Sequence, residues 1–160
     1  MPDFVKKIMK ANGDVLQSGE ELLAATIGQP SGTFSRQALG GIVGVMAAKK
    51  MADKKMASLD GSDASGIAAS IPPNQQLIIG LSDRRLLFFS QAAMSGNPKD
   101  LVADLDLSEI FEMILEKHKM TFSLVVRFSD NSARMFECVK MAKPAGLVEA
   151  FEKLARGRAA

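Results

Sequence analysis

Residues 120–140 read MTFSLVVRFSDNSARMFECVK, and the order of apolar and polar side chains in this stretch decides the fold. Phe122, Leu124, Val126 and Phe128 fall on one side of an extended chain, while Ser123, Arg127 and Ser129 fall on the other. A period of two belongs to a half-buried β-strand. Asp130-Asn131-Ser132 supplies turn chemistry, because short polar side chains bond their own backbone. Ala133 to Lys140 then returns as the partner strand.

The same signals recur toward the N-terminus. Gln76 to Leu81 (QLIIGL), the turn Ser82-Asp83-Arg84 and Arg85 to Gln91 (RLLFFSQ) form a second hairpin. After the loop AAMSGNPKD, Leu101 to Leu107 alternates, with Leu101, Ala103, Leu105 and Leu107 on one face and Asp104 and Asp106 on the other. Glu109 to Glu116 (EIFEMILE) fits a helix or a strand. Strand is expected, since Ile110, Glu112, Ile114 and Glu116 alternate and Lys117-His118-Lys119 has the look of a hairpin tip. Glu21 to Gly28 (ELLAATIG) reads as a first strand, stopped by Gln29-Pro30-Ser31-Gly32. From Ile67 the pattern is again β, although Pro72-Pro73 bars regular pairing there.

Two helices flank these strands. Over residues 3–11, Asp3 is an N-cap, Phe4, Val5, Ile8 and Met9 form one face, and Lys6, Lys7 and Lys10 the other. At the far end Pro144 opens a helix at a position that needs no N–H. Leu147, Val148, Phe151 and Leu154 give it an apolar face, and Gly157 is expected to end it.

Thr33 to Ala57 is different. Its Ala, Met, Leu and Lys favour helix, yet Gly40, Gly41 and Gly44 each cost about 1 kcal/mol there relative to Ala. Gly40, Gly44, Ala48 and Ala52 recur every fourth residue, a stripe that admits close approach of another backbone. Three readings follow. The segment packs on its own domain, or it meets a second protomer through the stripe. Otherwise it lies on a membrane, with Lys49, Lys50, Lys54 and Lys55 near anionic headgroups and Ile42, Val43 and Met46 inserted.

Seven strands and an apolar-faced last helix need a two-layer solution. The expected architecture is mainly β: a bent seven-stranded antiparallel sheet or partly open barrel, plugged by the C-terminal helix. An N-terminal helix over 1–18 and a helical insertion and loop over 30–75 complete a single domain, 1–160.

Composition narrows the function. The chain has 160 residues, 47% hydrophobic and 24% charged, which suits one globular domain. Its net charge of +2 is too small to argue for nucleic acid or for an acidic membrane as a partner. Residues 1–58 carry eight Lys or Arg against five acids, and residues 59–160 twelve against thirteen. The excess of +3 in the first part lies mostly in Lys6/Lys7/Lys10 and Lys49/Lys50/Lys54/Lys55. One cysteine, Cys138, permits no internal disulfide and fits a reducing, cytoplasmic setting. The N-terminus has no signal-peptide core, and the longest nearly apolar run, Ala38 to Ala48, is shorter than the about 20 residues of a bilayer span. Trp and Tyr are absent, which speaks against a carbohydrate cleft.

The segment LIIGLSDRRLLFFS resembles the second and third strands of bacterial pleckstrin-homology-like domains: an apolar run, a Thr/Ser-Asp-Arg-Arg turn and a second apolar run. LVADLDLSEI, MTFSLVVRFSDNSARMFE and KPAGLVEAFEKL are similar to the rest of that layout. The resemblance covers residues 21–28 and 76–156. It implies a fold and a binding role, with no shared catalytic residues and no cofactor. Lipid-binding members of the wider superfamily carry spaced Lys and Arg at the end of the first strand. AATIGQPSG has none, so phosphoinositide binding at that place is not expected.

Single residues offer little chemistry. His118 and Cys138 are the only strong transition-metal donors, too few for the about three or four ligands of a zinc site. His118, between two lysines, reads as a solvated turn residue, and no G-x-S-x-G elbow accompanies it. Cys138 reads as a small buried hydrophobe. Asp100, Asp104, Asp106, Glu109 and Glu112 lack calcium-loop spacing, and GGIVG is no phosphate loop. In Ser82-Asp83-Arg84-Arg85, one arginine is expected to pair with Asp83 or another acid; the alternative is an anion or partner contact. The balance favours a non-enzymatic binding module that self-associates and meets another protein, with a membrane surface as the alternative partner.

Overall fold

In the computed structural model, residues 3–30, 66–72 and 75–159 are described. Helix α1 (Phe4–Asn12) is followed by β1 (Leu22–Pro30), β2 (Leu77–Ser82), β3 (Arg85–Gln91), β4 (Pro98–Asp106), β5 (Ile110–Lys117), β6 (Thr121–Phe128), β7 (Ala133–Val139) and α2 (Pro144–Ala159). All paired strands run antiparallel in the order β4-β3-β2-β1-β7-β6-β5, and the sheet is not closed. Strand β1 joins its halves: Leu22 to Gly28 pair with β2, and Gln29 and Pro30 pair with Glu137 and Phe136 of β7.

Both hairpins are seated by their turns. Asn131 adopts φ 74°, a left-handed conformation that Asn tolerates, between Phe128 and Ala133. In β2 and β3 the runs LIIGL and LLFF are apolar without interruption, the mark of strands covered on both faces. Leu77, Ile79, Leu81, Leu86 and Phe88 face Leu124, Val126, Phe128 and Phe136 of the other half-sheet, and α2 adds Leu147, Val148 and Phe151. The Phe88 and Phe136 rings stack across this core with centroids 5.9 Å apart. On the opposite face Ile78, Leu87 and Phe89 pack under Phe4 and Ile8 of α1. Gly80 makes that approach close: a Cβ there would lie 3.0 Å from Ile8 Cδ1.

Four local expectations are corrected. GIAASI is not a strand: Gly66–Ser70 form a 3₁₀ turn, held where Asp130 accepts the Ile67 N–H at 2.8 Å and Ser132 the Ala68 N–H at 3.1 Å. Gly66 sits at φ +62°, and a Cβ there would collide with the Asp130 carboxylate. Strand β4 does not keep one apolar face, because Phe88 pairs with Ala103 and Phe89 with Leu101. Val102 is therefore a bulge, and it turns Leu101 toward the α1 side while Ala103, Leu105 and Leu107 stay with the main core. Gly157 does not end α2, which continues to Ala159. A helical glycine lowers stability without stopping the helix when no left-handed cap follows. Met9, finally, is 48% exposed rather than part of the α1 apolar face.

Candidate functional site

The Ser82-Asp83-Arg84-Arg85 turn is a structural clamp. Ser82 Oγ accepts the N–H groups of Arg84 (3.0 Å) and Arg85 (2.9 Å) and donates to Glu20 Oε2 at 2.5 Å. Arg85 grips Glu20 with two donors, Nε to Oε2 at 3.1 Å and Nη2 to Oε1 at 2.8 Å. Its remaining reach goes to the Val15 carbonyl (3.0 Å) and to Asp104 (2.8 Å). Asp83 exchanges two bonds with Glu21, accepting its N–H at 3.0 Å and donating its own to the Glu21 carbonyl at 2.9 Å. Burial by itself would raise the Glu20 carboxyl and is the largest single influence. The bonds from Arg85, Ser82 and the Gln17 N–H, with the Arg85 charge, outweigh it and hold Glu20 down at about 2. The expected arginine–acid pair is thus present, with Glu20 and Asp104 rather than Asp83. Arg85 has its donors committed to the scaffold, and Arg84, exposed, reaches Gln17 at 3.3 Å.

On the face of β6 and β7 turned away from the main core, buried Ser123 donates to buried Glu137 at 2.6 Å, Thr121 donates to the same carboxylate at 2.8 Å, and His118 Nε2 lies 3.1 Å from Ser123 Oγ. His118 is half-buried, so the solvated-turn reading is corrected. Ser123 is fully buried, so these groups form a closed internal network. Among the described residues no three of His, Cys, Asp and Glu converge as metal ligands. Cys138 is buried, and burial first, then the Glu137 charge, pushes its thiol up to about 12. A buried thiol held neutral is an inert one.

Arg134 was not anticipated. The parity of Phe136 and Cys138 carries it to the core side, where it is 3% exposed and donates to the Ile71 carbonyl. Among the described residues its Nε has no partner, and burial draws its pKa below the usual arginine range.

Among the described residues, two grooves lie along α2. Leu107, Ile110, Phe151 and Leu154 line a groove of about 360 Å³ between α2 and the start of β5. On the other flank of Leu154, a second groove of about 420 Å³ runs past Leu23, Gly146 and Lys153. Phe111, the extra residue of a bulge that pairs Ile110 with Phe128 and Glu112 with Arg127, is 66% exposed at the rim. Arg127 covers it, 5.4 Å from the ring centroid, and pairs with Glu112.

Strands β4 and β5 are the two edges of the sheet, and they differ. The β4 edge is blunted by Pro98, two register shifts and four exposed charges, Lys99, Asp100, Asp104 and Asp106. The β5 edge keeps unbroken register with β6 from Glu112 to Lys117.

Gly40, Gly44, Ala48 and Ala52, with Ile42, Val43, Met46 and Lys49, Lys50, Lys54 and Lys55, lie outside the described residues, as does most of the 30–75 insertion. No helix among the described residues is long and apolar enough to cross a membrane. Comparison with protein-family models and with curated proteins finds no match for the chain.

Proposed function

We infer that this chain is a non-enzymatic binding module of pleckstrin-homology-like type that works by docking a segment of another protein. Support for the family comes from the strand order, the C-terminal helix against the shared core, and the Ser-Asp-Arg-Arg turn at the β2–β3 hairpin. The observation that carries the binding reading is the groove between β5 and α2, beside the sheet edge that keeps unbroken register from Glu112 to Lys117. An extended segment can add its backbone to β5 and drop an apolar side chain against Ile110, Phe151 and Leu154. Self-association through the Gly40/Gly44/Ala48/Ala52 stripe and a cytoplasmic setting belong to the same proposal, and sedimentation of the full chain reads the former. A random-peptide display library panned on the full chain tests the groove. Selected peptides should alternate apolar residues and bind Leu154→Glu or the rim variant Phe111→Ser about tenfold more weakly. Enrichment on Leu154→Glu equal to that on the wild type refutes the docking site, provided the variant keeps its β circular-dichroism spectrum.

A further inference from the structure

The β5–β6 hairpin ends in Lys117-His118-Lys119-Met120, and β7 runs out through Val139-Lys140-Met141-Ala142-Lys143. These two stretches are neighbours. Thr121 pairs with Val139, so Met120 and Lys140 each lie one residue beyond that rung of the ladder. The His118 N–H donates to the Thr121 carbonyl at 2.9 Å and closes the hairpin, while the Lys143 N–H donates to the Lys140 carbonyl at 3.0 Å and folds the second stretch into a 3₁₀ turn.

Lys117, Lys119, Lys140 and Lys143 are all exposed. Between them stand three apolar side chains in solvent: Met120 is 74% exposed, Met141 63% and Val139 49%. Among the described residues, the nearby acids do not neutralise the tip. Glu137 is buried with its carboxylate turned to Thr121 and Ser123, and Glu116 is half-buried farther back, opposite Ser123.

Four cations framing bare thioethers match the boundary between lipid headgroups and acyl chains. The geometry points to the surface of an anionic bilayer as the occupant of this end of the molecule. Met120 and Met141 enter the headgroup layer, and the lysines meet its phosphates and carboxylates. A nucleic acid offers the same phosphates but gives the methionines nothing apolar to enter, and the stretch holds no aromatic ring on which a base could stack. This surface is separate from the groove. Phe111 and Lys117 are six residues apart along β5, about 20 Å, so a chain seated on its lysine tip turns the α2 groove away from the membrane.

Co-sedimentation of the full-length chain with vesicles tests the inference. Vesicles of phosphatidylcholine with about one-third phosphatidylserine should pellet the chain at low salt and release it at about 0.5 M salt, and pure phosphatidylcholine should not pellet it. Lys119→Ala with Lys140→Ala should weaken binding about 25-fold, and Met120→Ser with Met141→Ser about tenfold. All four positions are exposed, so thermal melts should be unchanged. Equal pelleting with neutral vesicles, no pelleting with anionic ones, or anionic binding untouched by the lysine pair each overturns the assignment. Binding to single-stranded DNA as tight as to vesicles and indifferent to Met→Ser overturns the bilayer as occupant. None of these outcomes bears on peptide docking in the groove, which the display experiment reads.

Discussion

Replacing Glu20 by Gln separates the charge of the clamp from its shape. The side chain of Glu20 is fully buried, and its carboxyl is held at about 2 against a reference of 4.5. A carboxyl depressed in the fold stabilises it above the unfolded pKa and loses that contribution as pH falls through the folded one. With about 1.36 kcal/mol per unit, the clamp contributes up to about 3.4 kcal/mol at neutral pH and about 1.4 kcal/mol at pH 3, and nothing well below pH 2. The raised Arg85 value describes the same contact from the other partner, so it is not added. Gln keeps one of the two acceptor oxygens, for Ser82 or for the Gln17 N–H, and leaves Arg85 facing a neutral amide. Urea unfolding of wild type and Glu20→Gln should therefore show a gap of about 3 kcal/mol at pH 7 that narrows steadily below pH 4.5. Asp130, whose carboxyl is lowered first by its Ser132 hydrogen bond, titrates in both proteins and cancels from the difference. A gap that stays constant from pH 7 to pH 2 would refute the reasoning, because it would mean that the variant loses packing rather than an ion pair.

Two further outcomes follow from the core. A Cβ on Gly28 would lie 2.9 Å from Phe136 Cβ and 3.3 Å from Cys138 Sγ, contacts that rigid groups cannot yield, so Gly28→Ala should lower unfolding stability by about 1–3 kcal/mol; a melt at or above wild type contradicts this. Cys138, buried with its thiol pushed up to about 12, should resist a thiol-specific disulfide reagent at pH 8 until denaturant unfolds the chain. Immediate stoichiometric labelling of the native protein would show the pocket to be open.

The strands were legible because each carries its own signal. Met120 to Ser129 alternates at period two, and Asp130-Asn131-Ser132 can only turn. Where the reading slipped, the deciding contact lay far along the chain. The Val102 bulge is imposed by the register of β3, not by any property of LVADLDL. GIAASI looks extended but is drawn into a 3₁₀ turn by Asp130 and Ser132, 63 and 64 residues away. His118 was judged by its lysine neighbours, whereas Ser123 across the hairpin sets its environment. Arg134 had a usable signal. Counting back by twos from Cys138 and Phe136 puts a cation on the inward side of β7, an inconsistency that period alone reveals.

Glu20 shows why the most conspicuous motif does not carry the binding reading. It sits in a loop with no periodicity, so nothing local marks it as the partner of an arginine 65 residues on. Once it is in place, Ser82, Asp83 and Arg85 each spend their polar groups on backbone, on Glu20 or on Asp104. A guanidinium fully engaged by a buried carboxylate cannot also hold an incoming anion without breaking a pair, which costs about 3–5 kcal/mol. The proposed binding surfaces therefore use side chains outside the clamp. Among the described residues these are the apolar groove of α2 and the lysine-framed methionines at the opposite end of β5, both built from residues that alternation alone would have assigned to solvent or to the core.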